Sequence, residues 1–244
     1  MAAARKGATA RTPAITQEAL IAAGLTVLRR EGLDALSMRK VAAELGVQAA
    51  SLYWHVQDKE ELLDLLADSL LWDARKLKTG GDWAENLREM ARAYRCHLNA
   101  NRDSARVMAG RLAPGPNLLY VLDVALGWLR SAGFSDADAA YATRTLATYV
   151  QGFVLQEQLP MSSLEAHGAS PEEAVAAVAE AFRSAPADKY PNVAALGELI
   201  VRDSMDDHFA FGVDQLIEGL RTRLPSAAPA PSTSSAPSAP SAAS

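Results

Sequence analysis

The chain has 244 residues, 49% of them apolar, and a net charge of −5. This length allows one or two domains with a real core, and no stretch approaches the roughly 18 consecutive apolar residues of a membrane span. Arg5, Lys6 and Arg11 are followed by no apolar run of signal-peptide length, the lone Cys96 excludes an internal disulfide, and the histidines at 55, 97, 167 and 208 are too scattered for a zinc site. A soluble cytoplasmic protein without metal or cofactor is expected.

The acidic total hides an asymmetry. Residues 1–60 carry a net charge of +2, leaving −7 for the remainder. A DNA-contacting N-terminal module joined to an acidic body has this distribution, though ordinary scatter also produces it.

Residues 1–14 are small and polar and end near Pro13, which reads as a disordered basic arm. From 15 to 31, Ile21, Leu25 and Leu28 recur at helical spacing beside Leu20 and Val27, with Thr16 as N-cap and Gly32 just past the end. Two short helices follow at 37–45 and 48–55. Asp58 caps a longer helix with Glu60 and Glu61 in its first turn, where the helix dipole favours anions; its apolar stripe is Leu62, Leu63, Leu66, Leu70 and Leu71. Thr79-Gly80-Gly81-Asp82 is the clearest break and divides a first domain, 15–78, from a second, 79–224. Helices are predicted at about 83–100, 102–110, 117–131 and 136–159, then an Ala-rich helix from Pro171 and a last helix over 203–222. Pro186 and Pro191 read as interruptions. Residues 225–244 contain only Ala, Pro, Ser and Thr, which cannot offset their ordering entropy, so a disordered tail is expected. Strand-like alternation is nearly absent. The fold expected is all-α: an N-terminal three-helix helix-turn-helix domain followed by a larger helical domain.

The informative stretch is Ser37-Met-Arg-Lys-Val-Ala-Ala-Glu-Leu-Gly46-Val-Gln-Ala-Ala-Ser-Leu-Tyr-Trp-His-Val56. Val41 and Leu45 share one face of the first helix. Gly46 stands where the chain turns sharply, and Val47 and Leu52 return the second helix to the same small core. Ala42 is small where the helices cross. Ala49, Ala50 and Ser51 let the second helix approach the major groove, where Gln48 and Ser51 hydrogen-bond base edges and the alanines touch thymine methyls. Tyr53 and His55 suit phosphate or sugar contact, and Arg39 and Lys59 suit phosphate clamping. Trp54 fits DNA contact and core packing equally, and His55 also fits a solvated cap. The competing reading of the whole motif is an αα-hairpin used only for packing.

These residues resemble the TetR family of one-component repressors. The likeness runs from Ile15 to Leu71, and Leu52-Tyr-Trp-His-Val56 is especially characteristic. It continues through Arg102-Asp-Ser-Ala-Arg-Val107, Gly133-Phe134, Val154-Leu-Gln-Glu-Gln158 and Phe209-Ala-Phe-Gly-Val-Asp214, which look like the ligand-binding domain of the tetracycline repressor subgroup. The resemblance implies a homodimer on double-stranded DNA, paired through helices at about 136–159 and 203–222 in a four-helix bundle. Two recognition helices roughly 34–36 Å apart then meet a palindromic operator. A small-molecule effector shifts the helix at 58–77 and spoils that spacing, provided it binds the DNA-incompetent state more tightly.

The resemblance also locates a ligand pocket at Arg75, Met90, Tyr94, Met108, Leu112, Thr148 and Gln156. The subgroup's metal-binding histidine falls on Met108, its metal-associated glutamate on Gln156, its drug-anchoring asparagine on Met90 and a nearby histidine on Arg75. Only an aromatic position is kept, as Tyr94. A thioether and an amide are poor replacements for a histidine and a carboxylate around Mg²⁺. The expected effector is therefore largely apolar and not Mg–tetracycline. Each methionine also fits plain core, and Arg75 a solvated helix position. Cys96 is expected to be a buried, inert thiol.

Two other classes remain beside the ligand-gated repressor. One is an activator or constitutive repressor whose second domain only dimerises. The other is an enzyme, against which stands the lack of a phosphate loop, an H-E-x-x-H, a G-x-S-x-G or a metal cluster. His97 beside Cys96 makes a poor dyad, because helix neighbours point about 100° apart.

Overall fold

The computed structural model describes residues 15–71, 81–111, 114–159, 168–202 and 204–225. The basic arm, Arg75, Leu112 and residues 226–244 lie outside the described residues. The described residues form helices and no strand, as the periodicity predicts. They are α1 Gln17–Glu31, α2 Met38–Glu44, α3 Ala49–Leu52, α4 Lys59–Ser69, α5 Trp83–Asn99, α6 Ser104–Met108, α7 Pro116–Ser131, α8 Asp136–Gln158, α9 Pro171–Arg183, α10 Pro191–Arg202 and α11 Met205–Arg221.

The first four helices close around one apolar cluster. Leu20, Val27, Leu28, Leu36, Val41, Leu52, Leu62 and Leu66 are essentially inaccessible, and each buried aliphatic side chain contributes about 1.5–3 kcal/mol relative to exposure. Thr16, Ser37 and Asp58 cap α1, α2 and α4 by accepting a backbone N–H three residues on. Such a cap contributes about 1 kcal/mol. Gly24 lets α4 pack tightly on α1, since a Cβ there would stand 2.8 Å from Leu66 Cδ2.

The remaining helices build the body on α5, which packs against α6, α7, α8 and α11. Trp83, Leu87, Met90, Ala91, Tyr94 and Leu98 form its buried stripe. Trp83 meets Phe134 edge-on at 4.9 Å, and Tyr149, Phe153 and Phe209 cluster between α8 and α11. Arg95 fastens that cluster. Its guanidinium lies 4.7 Å from the Phe209 ring centre, holds Glu157 at 2.5 Å and reaches Asp206 at 2.8 Å.

Two expectations need correction here. Cys96 is exposed, not buried, because it lies two residues from both Tyr94 and Leu98 and so on the opposite side of α5. Pro191 does not interrupt the chain but opens α10. Proline is well placed at the first helical position, where its missing N–H leaves no bond unmade. α9 and α10 pack on each other as a hairpin, with Gly197 set against Phe182.

Candidate nucleic-acid interface and interior site

The geometry of α2 and α3 follows from one turn. Leu45 ends α2, and Gly46 takes φ +67°. Nothing lies within 4 Å of where its Cβ would stand, so glycine is needed there for backbone conformation and not for space. The Val47 N–H then donates to the Ala42 carbonyl at 2.9 Å, which locks the turn over the small Ala42. α3 is a single turn, shorter than predicted. Residues 53–55 leave the helix, while the His55 and Val56 N–H groups both donate back to the Leu52 carbonyl. Leu52 and Val56 are buried and pin the segment at both ends.

The other side of this segment faces solvent. Gln48 is exposed and makes no cap bond with its side chain. Ala50 is exposed, and Ala49 and Ser51 are half-buried. Tyr53 is 55% exposed and Trp54 90% exposed, which removes the core reading of Trp54. His55 is exposed as well. Arg39 stands exposed with no ion pair to another described residue, whereas Lys40 is held by Glu31 and Arg30 by Glu31 and Glu44. Lys59, at the start of α4, is half-buried. Gln48, Ala49, Ala50, Ser51, Tyr53, Trp54 and His55 thus stand on one short segment, flanked in sequence by Arg39 and Lys59.

The interior positions divide. Met90, Tyr94 and Met108 are buried. Met90 packs with Ala125, Val121, Val124 and Trp128 of α7. The Tyr94 hydroxyl accepts a hydrogen bond from Gln151 Nε2 at 3.0 Å, and burial pushes its pKa up to about 12 against the smaller opposing effect of that bond. Tyr94 therefore keeps its proton, which is free to be donated. Gln151 was not singled out in the sequence. Its signal is the spacing that sets it beside the buried Val150 and Val154. Met90 lies in an apolar cluster separate from that of Tyr94 and Met108, and Thr148 and Gln156 join neither. Both are exposed, and Thr148 lines a groove of about 410 Å³ with Tyr141, Arg144, Thr145, Tyr149 and Leu216. A second groove of about 380 Å³ lies beside it between α8 and α11. Tyr141 is 71% exposed on this face, and Phe211 of α11 is 65% exposed.

Four sets of polar contacts join the first four helices to the body. The Leu33 N–H donates to Asp103 Oδ2 at 2.8 Å, and Arg106 grips Asp34 at 2.7 Å, holding that carboxyl below the usual range. Arg111 bridges Glu60 and Asp64 of α4 at 2.5 and 2.8 Å. Asp68 of α4 accepts the Leu118 N–H at 2.9 Å and the Asn117 N–H at 3.3 Å at the start of α7.

Known proteins share this architecture. The family profile described as "Bacterial regulatory proteins, tetR family" matches residues 20–66, and "Tetracyclin repressor-like, C-terminal domain" matches residues 77–224. The class G tetracycline repressor of Vibrio anguillarum is 35% identical over 203 residues, covering 82% of this chain and 90% of the relative. Among solved structures, the Streptomyces coelicolor TetR family protein ActR in complex with actinorhodin superposes with a TM-score of 0.77 at 33% identity, over 88% of this chain and 100% of that one. A TetR variant from Acinetobacter baumannii in complex with minocycline gives 0.62 at 31% identity, over 86% and 98%. The segment holding the exposed Trp54 is the helix-turn-helix of a known regulator fold, and the chain belongs to the TetR family of bacterial transcriptional regulators.

Proposed function

We propose that the protein is a homodimeric repressor that reads a palindromic operator and is released by a small, largely apolar molecule other than Mg–tetracycline. The observation that carries this reading is the exposed segment Gln48–His55, in which small residues front a one-turn helix and Trp54 stands 90% exposed beside it. Gln48, Ala49, Ala50 and Ser51 address bases, while Arg39, Tyr53, Trp54, His55 and Lys59 address the backbone. Residues 15–78 act as the reading head and 79–224 as the effector and dimerisation domain. Dimerisation through α8 and α11 is supported by the apolar grooves between them and by the exposed Tyr141 that lines both.

The effector is proposed to enter near Met90, Tyr94 and Met108, with Tyr94 as a neutral hydrogen-bond donor. Met108 and Gln156 stand where the subgroup's metal ligands fall, and they do not suit Mg²⁺. The closer superposition on ActR than on the minocycline-bound TetR supports the same choice. A second reading, in which the body only dimerises, is favoured by the burial of Met90 and Met108 among packed neighbours.

The test is to select duplexes from random sequence with the full chain, then titrate the complex with actinorhodin and, separately, with Mg–minocycline. A palindromic consensus released by the first and not the second is expected. Failure to select any duplex at low salt sinks the reading. A stable complex indifferent to both probes favours the second one.

A further inference from the structure

Asp68 lies on the last turn of α4 and is the one buried charged residue among the described residues. Helix α7 begins at Pro116 with Gly115 as its N-cap residue, so its own cap position has no side chain to accept the first N–H groups. Asp68 supplies that acceptor from another helix. Its Oδ1 takes the Leu118 N–H at 2.9 Å. Its Oδ2 takes the Asn117 N–H at 3.3 Å and the Asn117 side-chain amide at 3.2 Å, and the same amide donates to the Asp68 carbonyl at 3.1 Å. The fit is tight enough to dictate residue 115, because any Cβ on Gly115 would collide with the Asp68 carboxylate. Glu60, Asp64 and Asp68 stand four residues apart on α4, and the first two hold Arg111 just before α7.

α7 in turn carries Val121, Val124, Ala125 and Trp128, which surround the buried Met90. A path of packed and hydrogen-bonded contacts therefore runs from Met90, along α7, through one carboxylate, into α4. We propose that Asp68 is a positioning residue: by capping α7 in trans it couples the placement of the reading head to the state of the body. The inference rests on the DNA-reading function proposed above. A carboxylate gripping a helix N-terminus suits this role, since charge-assisted N–H bonds and the helix dipole keep it engaged while α4 and α7 move together.

The test separates coupling from mere capping. Asp68→Ala removes the shared cap. Asp68→Ala with Gly115→Ser gives α7 its own cap in the space the carboxylate leaves. Hydrogen exchange of peptides from the head and from α7 is followed in the full chain, with and without a duplex selected by the wild-type protein. In the wild type, DNA is expected to slow exchange at least tenfold both in the head and at residues 117–122. Asp68→Ala is expected to lower Tm by about 5 °C, and the double variant to recover it. In both variants DNA still protects the head but no longer protects 117–122. If the double variant regains DNA-linked protection of α7, Asp68 only caps, and the proposal fails. A wild type in which DNA protects the head and leaves α7 unchanged overturns it without touching the DNA-reading function. Failure to select any duplex overturns both.

Discussion

Of the places where large aromatic side chains stand in solvent, two differ in the kind of neighbour they have. At the helix-turn-helix, Tyr53 and Trp54 stand among Gln48, Ser51 and His55, with Arg39 and Lys59 nearby in sequence. On the body, Tyr141 lines both grooves of α8 and α11 with Thr145 and Leu216, and Phe211 stands exposed on α11 outside their lining. Exposure alone cannot distinguish these patches. Neighbour chemistry does. The first offers hydrogen bonds and positive charge around flat rings, which suits a phosphate-lined groove. The second offers mostly apolar and small groups beside Asp138, Arg144 and Arg223, which suits a like surface on another copy.

The strongest way to break this contrast is to place a charge in the second patch. Tyr141→Asp is expected to raise the dissociation constant of the proposed dimer about a thousandfold, since an interface on that face would desolvate the new carboxylate. Sedimentation velocity reads this, and an unchanged dimer would show that the face is not an interface. Trp54→Ala tests the first patch. It is expected to weaken duplex binding about 30-fold, a cost of about 2 kcal/mol, with sedimentation and Tm unchanged because the ring is exposed. A fall in Tm of several degrees would return Trp54 to a packing role. Gly46→Ala sharpens the point by disturbing only the turn that presents these rings. A non-glycine residue at φ +67° costs about 1–2 kcal/mol, which thermal denaturation measures; no loss would mean the turn adopts another backbone. The smallest effect is expected of Arg39→Gln. It should weaken binding a few-fold and flatten the salt dependence by about one counterion per protomer. An unchanged slope would place Arg39 away from phosphate.

Much of the head was legible because its signals are local. Gly46 marks the turn, Val41 and Leu52 mark the buried side, and Thr16, Ser37 and Asp58 sit three residues before the N–H groups they cap. α3 came out shorter than predicted because the apolar spacing through Val56 reflects pinning by two side chains, not continued helix. α10 was missed because Pro191 reads equally as a breaker and as a first helical residue. The apolar sequence neighbours of Cys96 suggest a buried thiol, while the stripe through Tyr94 and Leu98 turns it outward. The interior site was least legible. Thr148 and Gln156 came from resemblance, and their helix turns them away from Met90 and Tyr94. Asp68 gave no local sign at all. Its partners lie about fifty residues further along the chain, and only folding brings a bare N-cap glycine to it.

The outward Cys96 gives the chain one accessible thiol and no second to confuse it. A maleimide spin label attached there puts a single reporter on each protomer without any engineered substitution. In a two-fold assembly the pair defines one distance, so a dipolar spectrum would have one peak when the bodies hold a single arrangement and two when they exchange between arrangements. The body's population balance can be read this way directly, in the unmodified sequence.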